Sequence, residues 1–260
     1  MSAPAPRIFT PDYYTRMSAL EAGSWWNAAM RDTAARLLEG AGLPRVGMAL
    51  DVGCGSGQTI AWLRASLPEW RFAGLDVAPE GLAAARGRGE DVTLASALAI
   101  PFPTACADLV ASLDVLQHLP LPDGDRAALG EMRRILRPGG LLLLRTNAQA
   151  FPRTTDDPAA QFRKYEAGAL RARLEAAGFA VERIGRLNAL LGLAEIPREL
   201  RARRMSGTTG YHGLLAAPRP AGRADRLKGW WLRLEGRAVA SGVPLPMGRT
   251  ILALCRARPA

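Results

Sequence analysis

A glycine-rich turn between an apolar run and a helix-prone segment is the feature that most constrains the fold of this chain. Glycine occupies every second position of residues 53–57, directly after the apolar run 46–51 and before the helix-prone residues 57–66. Glycine permits backbone conformations that other residues resist, and it lets the chain pass close to a ligand. The sequence therefore predicts a buried strand, a tight turn and a helix, the repeating unit of an α/β sheet.

The spacing of these glycines distinguishes the turn from a dinucleotide-binding loop. A dinucleotide loop has the pattern G-x-G-x-x-G and presents a helix N-terminus to a pyrophosphate. Here the pattern is Asp51-x-Gly53-x-Gly55-x-Gly57. The carboxylate of Asp51 would repel a diphosphate, whereas it would suit a ligand that carries an ammonium and a sulfonium group.

Four further blocks follow this turn. They are Gly74-Leu75-Asp76-Val77, residues 95–102, residues 107–119 and residues 136–144. Together with the turn, the blocks resemble, in order and interval, the motifs of the class I S-adenosylmethionine-dependent methyltransferases. The resemblance covers roughly residues 45 to 185, and the C-terminal pattern of residues 230–253 is similar to a type 11-like bacterial subgroup. A different α/β domain with a chance glycine loop is the alternative, and it would have to reproduce every block.

The resemblance implies S-adenosylmethionine as the cofactor. In such enzymes an acid like Asp76 accepts hydrogen bonds from both ribose hydroxyls, and residues like Val77 and Leu98 enclose the adenine. The family commonly has an acid where this chain has Ser96, whose uncharged hydroxyl can still accept a hydrogen bond from the adenine amine. The implied cofactor residues are Asp51, Gly53, Gly55, Gly57, Asp76, Val77, Ser96, Ala97, Leu98 and Leu113.

Candidate residues for the acceptor side follow the fourth predicted strand and precede the first. His118 is a candidate general base for a hydroxyl, with a structural role in its loop as the alternative. Asp114 is expected at the end of the fourth strand, where open sheets form their ligand crevice. The aromatic residues predicted to cap the pocket, with ordinary core packing as the alternative, are Tyr13, Tyr14, Trp25 and Trp26.

Hydrophobic periodicity predicts the rest of the architecture. Strands are expected near 46–51, 71–76, 92–95, 108–113, 140–146, 179–186 and 249–256, and helices near 24–40, 57–66, 79–87, 123–135, 166–177 and 223–240. The expected fold is a Rossmann-like α/β sheet of seven mostly parallel strands, the last antiparallel, with helices on both faces. The predicted segments are a helical cap (1–44), the methyltransferase core (45–186), an insertion that acts as a lid (187–248), and a final strand and tail (249–260).

The charge and the cysteine content of the chain limit which partners, metals and cellular compartment the sequence predicts. The net charge is +10, and 32 of the 34 basic residues are arginine, for which a GC-rich genome is one explanation. Residues 183–237 hold 12 basic and 4 acidic residues, and this clustering favours an anionic partner, which can be a lipid headgroup, a phosphate, a carboxylate or an acidic protein. The three cysteines are too far apart for a metal knuckle, so no metal is expected. The absence of a signal core or a long apolar run predicts a cytoplasmic protein.

The predicted function is methyl transfer to a small-molecule, glycan or lipid-like acceptor, most simply at oxygen. Two alternatives stay open, a non-catalytic protein that binds the cofactor and a peripheral membrane enzyme that acts on an anionic lipid. Nucleic acid is not favoured. Base-methylating relatives carry a D/N-P-P-Y/F block after the fourth strand, where this chain has Leu113-Asp114-Val115-Leu116.

Overall fold

The computed structural model describes residues 24–149, 163–190, 193 and 222–259. Seven strands form one sheet in the order β3-β2-β1-β4-β5-β7-β6. Strands β1 to β5 pair with one another in parallel, and β7 runs antiparallel to both β5 and β6. The strands are β1 Met48–Val52, β2 Arg71–Asp76, β3 Val92–Leu94, β4 Ala107–Leu113, β5 Leu136–Asn147, β6 Phe179–Leu187 and β7 Thr250–Ala257.

Helices cover both faces of this sheet. In the described residues they are α1 Trp25–Glu39, α2 Gln58–Ser66, α3 Pro79–Gly87, α4 Gly124–Ile135, α5 Ala167–Ala176 and α6 Arg223–Ala240, with a 3₁₀ turn at Leu116–His118. The predicted fold class is confirmed, and the predicted strands and helices lie close to the observed bounds. None of the described helices is long and apolar enough to cross a membrane.

Burial on both faces explains why the central strands are nearly continuous apolar runs. Leu141 to Leu144 of β5 are all buried, and alternate residues belong to two separate core clusters, one on each face of the sheet. Helix α4 packs on one face through Ala128, Leu129 and Met132. The sheet is therefore rigid at its centre, which fixes where its strand ends lie.

Residues 137–140 lie between the predicted helix at 123–135 and the predicted strand at 140–146, and in the structure they are part of β5. The sequence places a helix end and a strand start there, but β5 already begins at Leu136. Leu136 pairs with Ala107 and Leu141 pairs with Leu109, so the residues between them bulge out of register. Gly139 adopts a φ of +80°, which lets the strand resume pairing after the bulge.

Helices α1 and α6 pack against each other on one face of the sheet. Their approach is close because Gly236 faces Thr33, where an added Cβ would lie 2.0 Å from the Thr33 hydroxyl oxygen. The side-chain oxygen of Ser24 caps α1 by accepting a hydrogen bond from the backbone N–H of Asn27. Helix α6 lies within the segment predicted to be an insertion (187–248), of which residues 191, 192 and 194–221 fall outside the described residues.

Candidate cofactor and acceptor site

The glycine loop uses its own backbone N–H groups to hold its shape. Gly53 and Cys54 donate to the carbonyl of Leu75 at 2.8 and 3.0 Å, and Gly57 donates to the carbonyl of Cys54 at 2.8 Å. Gly55 donates to Oδ2 of Asp76 at 2.8 Å. A loop that binds phosphate aims such N–H groups at its ligand. Because these four N–H groups have partners within the protein, this loop is not built to bind a diphosphate.

The three glycines of the loop serve different purposes, although φ is positive at each (+84° at Gly53, +49° at Gly55, +79° at Gly57). A Cβ on Gly53 would lie 2.1 Å from Cγ2 of Val115, and one on Gly57 would lie 3.1 Å from Cβ of Ala85. A Cβ on Gly55 would meet no atom within 4 Å. Gly53 is thus required for packing and Gly57 packs tightly against Ala85, whereas Gly55 faces open space that a ligand can fill.

Asp76 links the end of β2 to this loop. Its carboxylate is 8% exposed and accepts hydrogen bonds from the backbone N–H groups of Gly55 and, at 2.9 Å, Ala78. Burial raises the pKa of this carboxyl, and the backbone donors partly oppose that effect. A carboxylate accepts about four hydrogen bonds. Asp76 can therefore hold the loop and still accept from a ribose diol.

The residues predicted to enclose adenine follow β2 and β3. Val77 is 60% exposed although it directly follows buried Asp76, and Leu98 is half-buried. The hydroxyl oxygen of Ser96 accepts a hydrogen bond from the backbone N–H of Leu98 at 3.1 Å, while Ala97 is buried. The apolar surface of Val77 is what an adenine ring would cover, so this assignment stays a prediction that fits the geometry.

Asp51 lies within β1, as the predicted strand at residues 46–51 placed it. It is 2% exposed and its backbone is flanked by Gly74 of β2 and Ala111 of β4.

The pKa of the Cys54 thiol is raised well above its ordinary value. Burial is the largest cause, and the negative charges of Asp51 and Asp76 add to it. Cys54 is therefore a packed thiol and not a nucleophile.

The loop after β4 contacts the glycine loop, because Val115 packs directly against Gly53. Asp114 has a φ of +63°, an unusual conformation for a residue with a side chain. Its Oδ2 accepts hydrogen bonds from Nε and Nη2 of Arg145 at 3.0 and 2.6 Å. The structure thus places the predicted residue Asp114 beside the cofactor loop and joins it to the end of β5.

Arg145 is a candidate site residue that the sequence analysis missed. Its side chain is only 11% exposed, and its guanidinium carbon lies 4.7 Å from the centre of the Trp26 ring. This stacking and the ion pair with Asp114 hold the guanidinium at the edge of the sheet. An arginine at the end of the apolar run 141–144, on the strand beside β4, was the available signal.

His118 ends the 3₁₀ turn in the same loop. Burial lowers the pKa of its imidazole to about 4, and the nearby charge of Asp114 only partly opposes this effect. A general base works best with a pKa near the operating pH. His118 is thus neutral at pH 7 but a weak base in this state, and its catalytic role remains a prediction.

Buried polar contacts support the loop from behind. The hydroxyl of Thr146 donates to Oε1 of Gln117 at 2.9 Å, and the backbone N–H of Arg163 donates to the carbonyl of Gln117 at 3.0 Å. The hydroxyl of Tyr165 donates to Asp125, which is fully buried and also ion-paired with Arg163. These contacts fix the position of the turn that carries His118.

The predicted aromatic cap is only partly within reach of this site. Trp26 joins it through Arg145, whereas Trp25 lies at the α1–α6 contact, with Nζ of Lys228 5.8 Å from its ring centre. Tyr13 and Tyr14 lie outside the described residues. Trp25 is therefore a packing residue, and Trp26 is the aromatic residue that the structure brings to the acceptor side.

The depressed pKa of His118 predicts a pH-dependent stability. Its pKa is about 4 in the folded protein and about 6.5 when unfolded, so the unfolded state binds the proton first as the pH falls. The stabilisation is complete above pH 6.5 and is lost between pH 6.5 and 4. Urea unfolding measures how much the free energy of unfolding falls from pH 7 to pH 5. This fall should be about 1–2 kcal/mol smaller in His118→Gln than in the wild type. Equal losses in the two proteins would contradict the buried, neutral imidazole.

Comparison with known proteins agrees with the fold and the loop. The family model of type 11 methyltransferases, described as "Methyltransferase domain", matches residues 50–144. Trans-aconitate 2-methyltransferase of Azoarcus is 35% identical over 130 residues, which are 49% of this chain and 48% of that protein. A tRNA (carboxymethyluridine(34)-5-O)-methyltransferase of Arabidopsis thaliana is 29% identical over 102 residues, 39% of this chain and 24% of that protein.

Among solved structures, the [4+2]-cyclase SpnF superposes with a TM-score of 0.64 at 20% identity, covering 100% of this chain and 98% of that one. That likeness concerns the fold alone. Residues 50–144 therefore carry a class I S-adenosylmethionine-dependent methyltransferase domain, as the motifs of the chain predicted. The chain spans between 24% and 52% of the length of the curated relatives it matches, and those relatives differ in acceptor.

Proposed function

We propose that this protein transfers the methyl group of S-adenosylmethionine to an oxygen of a small anionic acceptor, most simply a carboxylate. The observation that carries the proposal is that Asp114, Arg145 and Trp26 lie at the loop that packs on Gly53 of the cofactor turn. A relative named for the small anion trans-aconitate supports the same acceptor class.

The glycine turn supports the donor side. Its N–H groups are directed inward, the space at Gly55 is open, and Asp76 retains capacity to accept from hydroxyls. These features favour a ligand with a cationic sulfonium group and a ribose over one with a diphosphate. When bound, S-adenosylmethionine supplies an electrophilic methyl group on a positively charged sulfur.

The acceptor side supports an oxygen that is already an anion. A lone pair of that oxygen forms the bond to the methyl carbon as the carbon–sulfur bond breaks and its electron pair stays on sulfur. A carboxylate needs no proton removed for this step, which fits a site whose His118 has a pKa of about 4. The Arg145 guanidinium has five N–H donors in a planar fork, of which the Asp114 contacts use those on Nε and Nη2. The remaining donors suit a second carboxylate, so the task of these residues is to hold the acceptor in line.

The test is formation of S-adenosylhomocysteine with a panel of small mono-, di- and tricarboxylic acids and their alcohol analogues. Turnover with acids and none with the alcohols is the expected result. If the cofactor binds by calorimetry but no acceptor in either set turns over, the non-catalytic alternative gains the support. Turnover with alcohols alone would contradict the carboxylate proposal and return His118 to the role of base.

Replacing Arg145 by glutamine is predicted to separate the two halves of the site. Loss of the guanidinium removes the proposed acceptor contact, so turnover should fall at least a hundredfold, through charge-assisted hydrogen bonds of about 1.5–3 kcal/mol each. Cofactor affinity should remain within about threefold, because the Arg145 guanidinium contacts Asp114 and Trp26, which belong to the proposed acceptor side. Arg137→Gln is the matched control, since Arg137 pairs with Asp108 at the opposite edge of the sheet. Equal effects of both substitutions would show that Arg145 is merely structural.

A further inference from the structure

We propose that the exposed face of helix α6 is a docking surface for an anionic lipid membrane. The proposal concerns a surface separate from the cofactor loop, and it does not depend on which acceptor is methylated. The docking surface is defined by Arg223, Arg226, Leu227, Trp230, Trp231 and Arg237.

Helix α6 has two faces of opposite character. Its buried side, which includes Gly229, Leu232 and Val239, faces the interior beside α1 and β6. Leu227, Trp230 and Trp231 are 65%, 52% and 38% exposed. At about 100° per residue, these three lie on the side of the helix opposite the buried residues. They form an apolar stripe, little more than one helical turn long, that nothing in the described chain covers.

The charges of α6 are sorted between the same two faces. Its two acids, Asp225 and Glu235, are buried and already have partners. Asp225 accepts from the backbone N–H of Gly222 at 3.1 Å, and Glu235 accepts from the backbone N–H groups of Asn188 and Ala189 at 2.6 and 3.1 Å. Neither acid can therefore neutralise the exposed side of the helix.

The exposed side carries positive charge alone. Arg223, Arg226 and Arg237 are all exposed and flank the apolar stripe. The two indole rings meet edge to face, with ring centres 6.0 Å apart and a 60° angle between their planes. A helix that presents tryptophan and leucine between arginines is suited to the interface of a bilayer with acidic headgroups.

A lipid surface explains this combination better than other anionic partners do. Nucleic acid or an acidic protein would pair with the arginines, but neither needs Leu227 exposed beside two tryptophans. A membrane satisfies both features, because the apolar side chains enter the headgroup region while the guanidinium groups meet phosphates. Since α6 is not apolar enough to span a bilayer, it would lie parallel to the surface.

The experiment is sedimentation of the full chain with vesicles of phosphatidylcholine alone or mixed with phosphatidylglycerol, at low and high salt. Binding is expected only to the acidic vesicles, weaker at high salt, with a blue shift of tryptophan emission. Trp230→Ser/Trp231→Ser should abolish the shift and most of the binding. Arg223→Gln/Arg226→Gln/Arg237→Gln should weaken binding about a hundredfold or more, at roughly 1 kcal/mol for each arginine near the surface.

Matched controls keep the test specific. Arg45→Gln/Arg71→Gln/Arg126→Gln removes the same charge from exposed positions elsewhere, and Val46→Ser/Leu121→Ser removes exposed apolar side chains. Both controls should bind acidic vesicles as the wild type does, and calorimetry with S-adenosylmethionine checks that each variant is folded. The proposal is overturned if the wild type fails to bind acidic vesicles, or if the controls lose as much binding as the variants of α6. It is also overturned if the tryptophan variant keeps its vesicle binding while the protein binds single-stranded RNA through the arginines.

Discussion

Gly55→Val is expected to remove S-adenosylmethionine binding almost completely, by at least a hundredfold, in a protein that still folds. The new side chain would occupy the open space above the loop, where the structure has no atom within 4 Å. The backbone there has a φ of +49°, so the cost to stability should be about 1–2 kcal/mol. Calorimetry with S-adenosylmethionine and a thermal melt measure the two effects separately.

Gly139→Val is the matched control for this prediction. Gly139 also has positive φ and open space around its Cβ position, but it lies in the bulge at the start of β5, at the other edge of the sheet. The Gly139→Val variant should lose about as much stability as Gly55→Val and keep its cofactor affinity. If Gly55→Val melts like the control and binds the cofactor normally, the loop does not form the binding site.

Asp76→Asn is expected to weaken S-adenosylmethionine binding by at least tenfold. The change keeps the size of the side chain but removes the charge that would accept two hydroxyl hydrogen bonds, each worth about 1.5–3 kcal/mol. It also weakens the contact that holds Gly55 in place, because that N–H donates to the Asp76 carboxylate at 2.8 Å. Calorimetric titration of both proteins at one pH gives the comparison directly.

Asp108→Asn controls for loss of a partly buried carboxylate that accepts from a backbone N–H. Asp108 accepts from the N–H of Met48 at 2.9 Å and pairs with Arg137 at the opposite edge. It should lose stability without losing cofactor affinity. Unchanged affinity in Asp76→Asn would instead assign Asp76 to loop geometry alone.

The sequence was sufficient for the order of strands and helices along the chain, and it allowed a prediction of the cofactor half of the site. Local patterns carry this information, because an apolar run of five to seven residues, a glycine turn and an acid at a strand end are all written in consecutive positions. Parallel strands also bring their carboxyl ends to one edge. Asp51, Gly55, Asp76 and Ser96 could be assigned to a common region for that reason.

Tertiary packing decided what each of these residues does. Gly53 and Gly55 look equivalent in the pattern, but Gly53 is a packing position against Val115 and Gly55 faces open space. The start of β5 at Leu136 depends on pairing with β4 across a bulge, which no local signal at residues 137–140 reports. Pairing between strands distant in sequence selected the conformation there.

The proposed acceptor half of the site was least accessible to sequence reasoning. Trp26, Asp114 and Arg145 are separated by up to about 120 positions, yet the sheet order places β4 beside β5 and α1 beside both. Tryptophans 25 and 26 are adjacent in the chain, and only the rotation of α1 decides that Trp26 stacks on Arg145 while Trp25 packs under α6. Patterns in consecutive residues determined the fold and the predicted donor loop. The direction in which side chains from different helices and strands point depends on packing of the whole core, and this packing determined which residues lie at the proposed acceptor side.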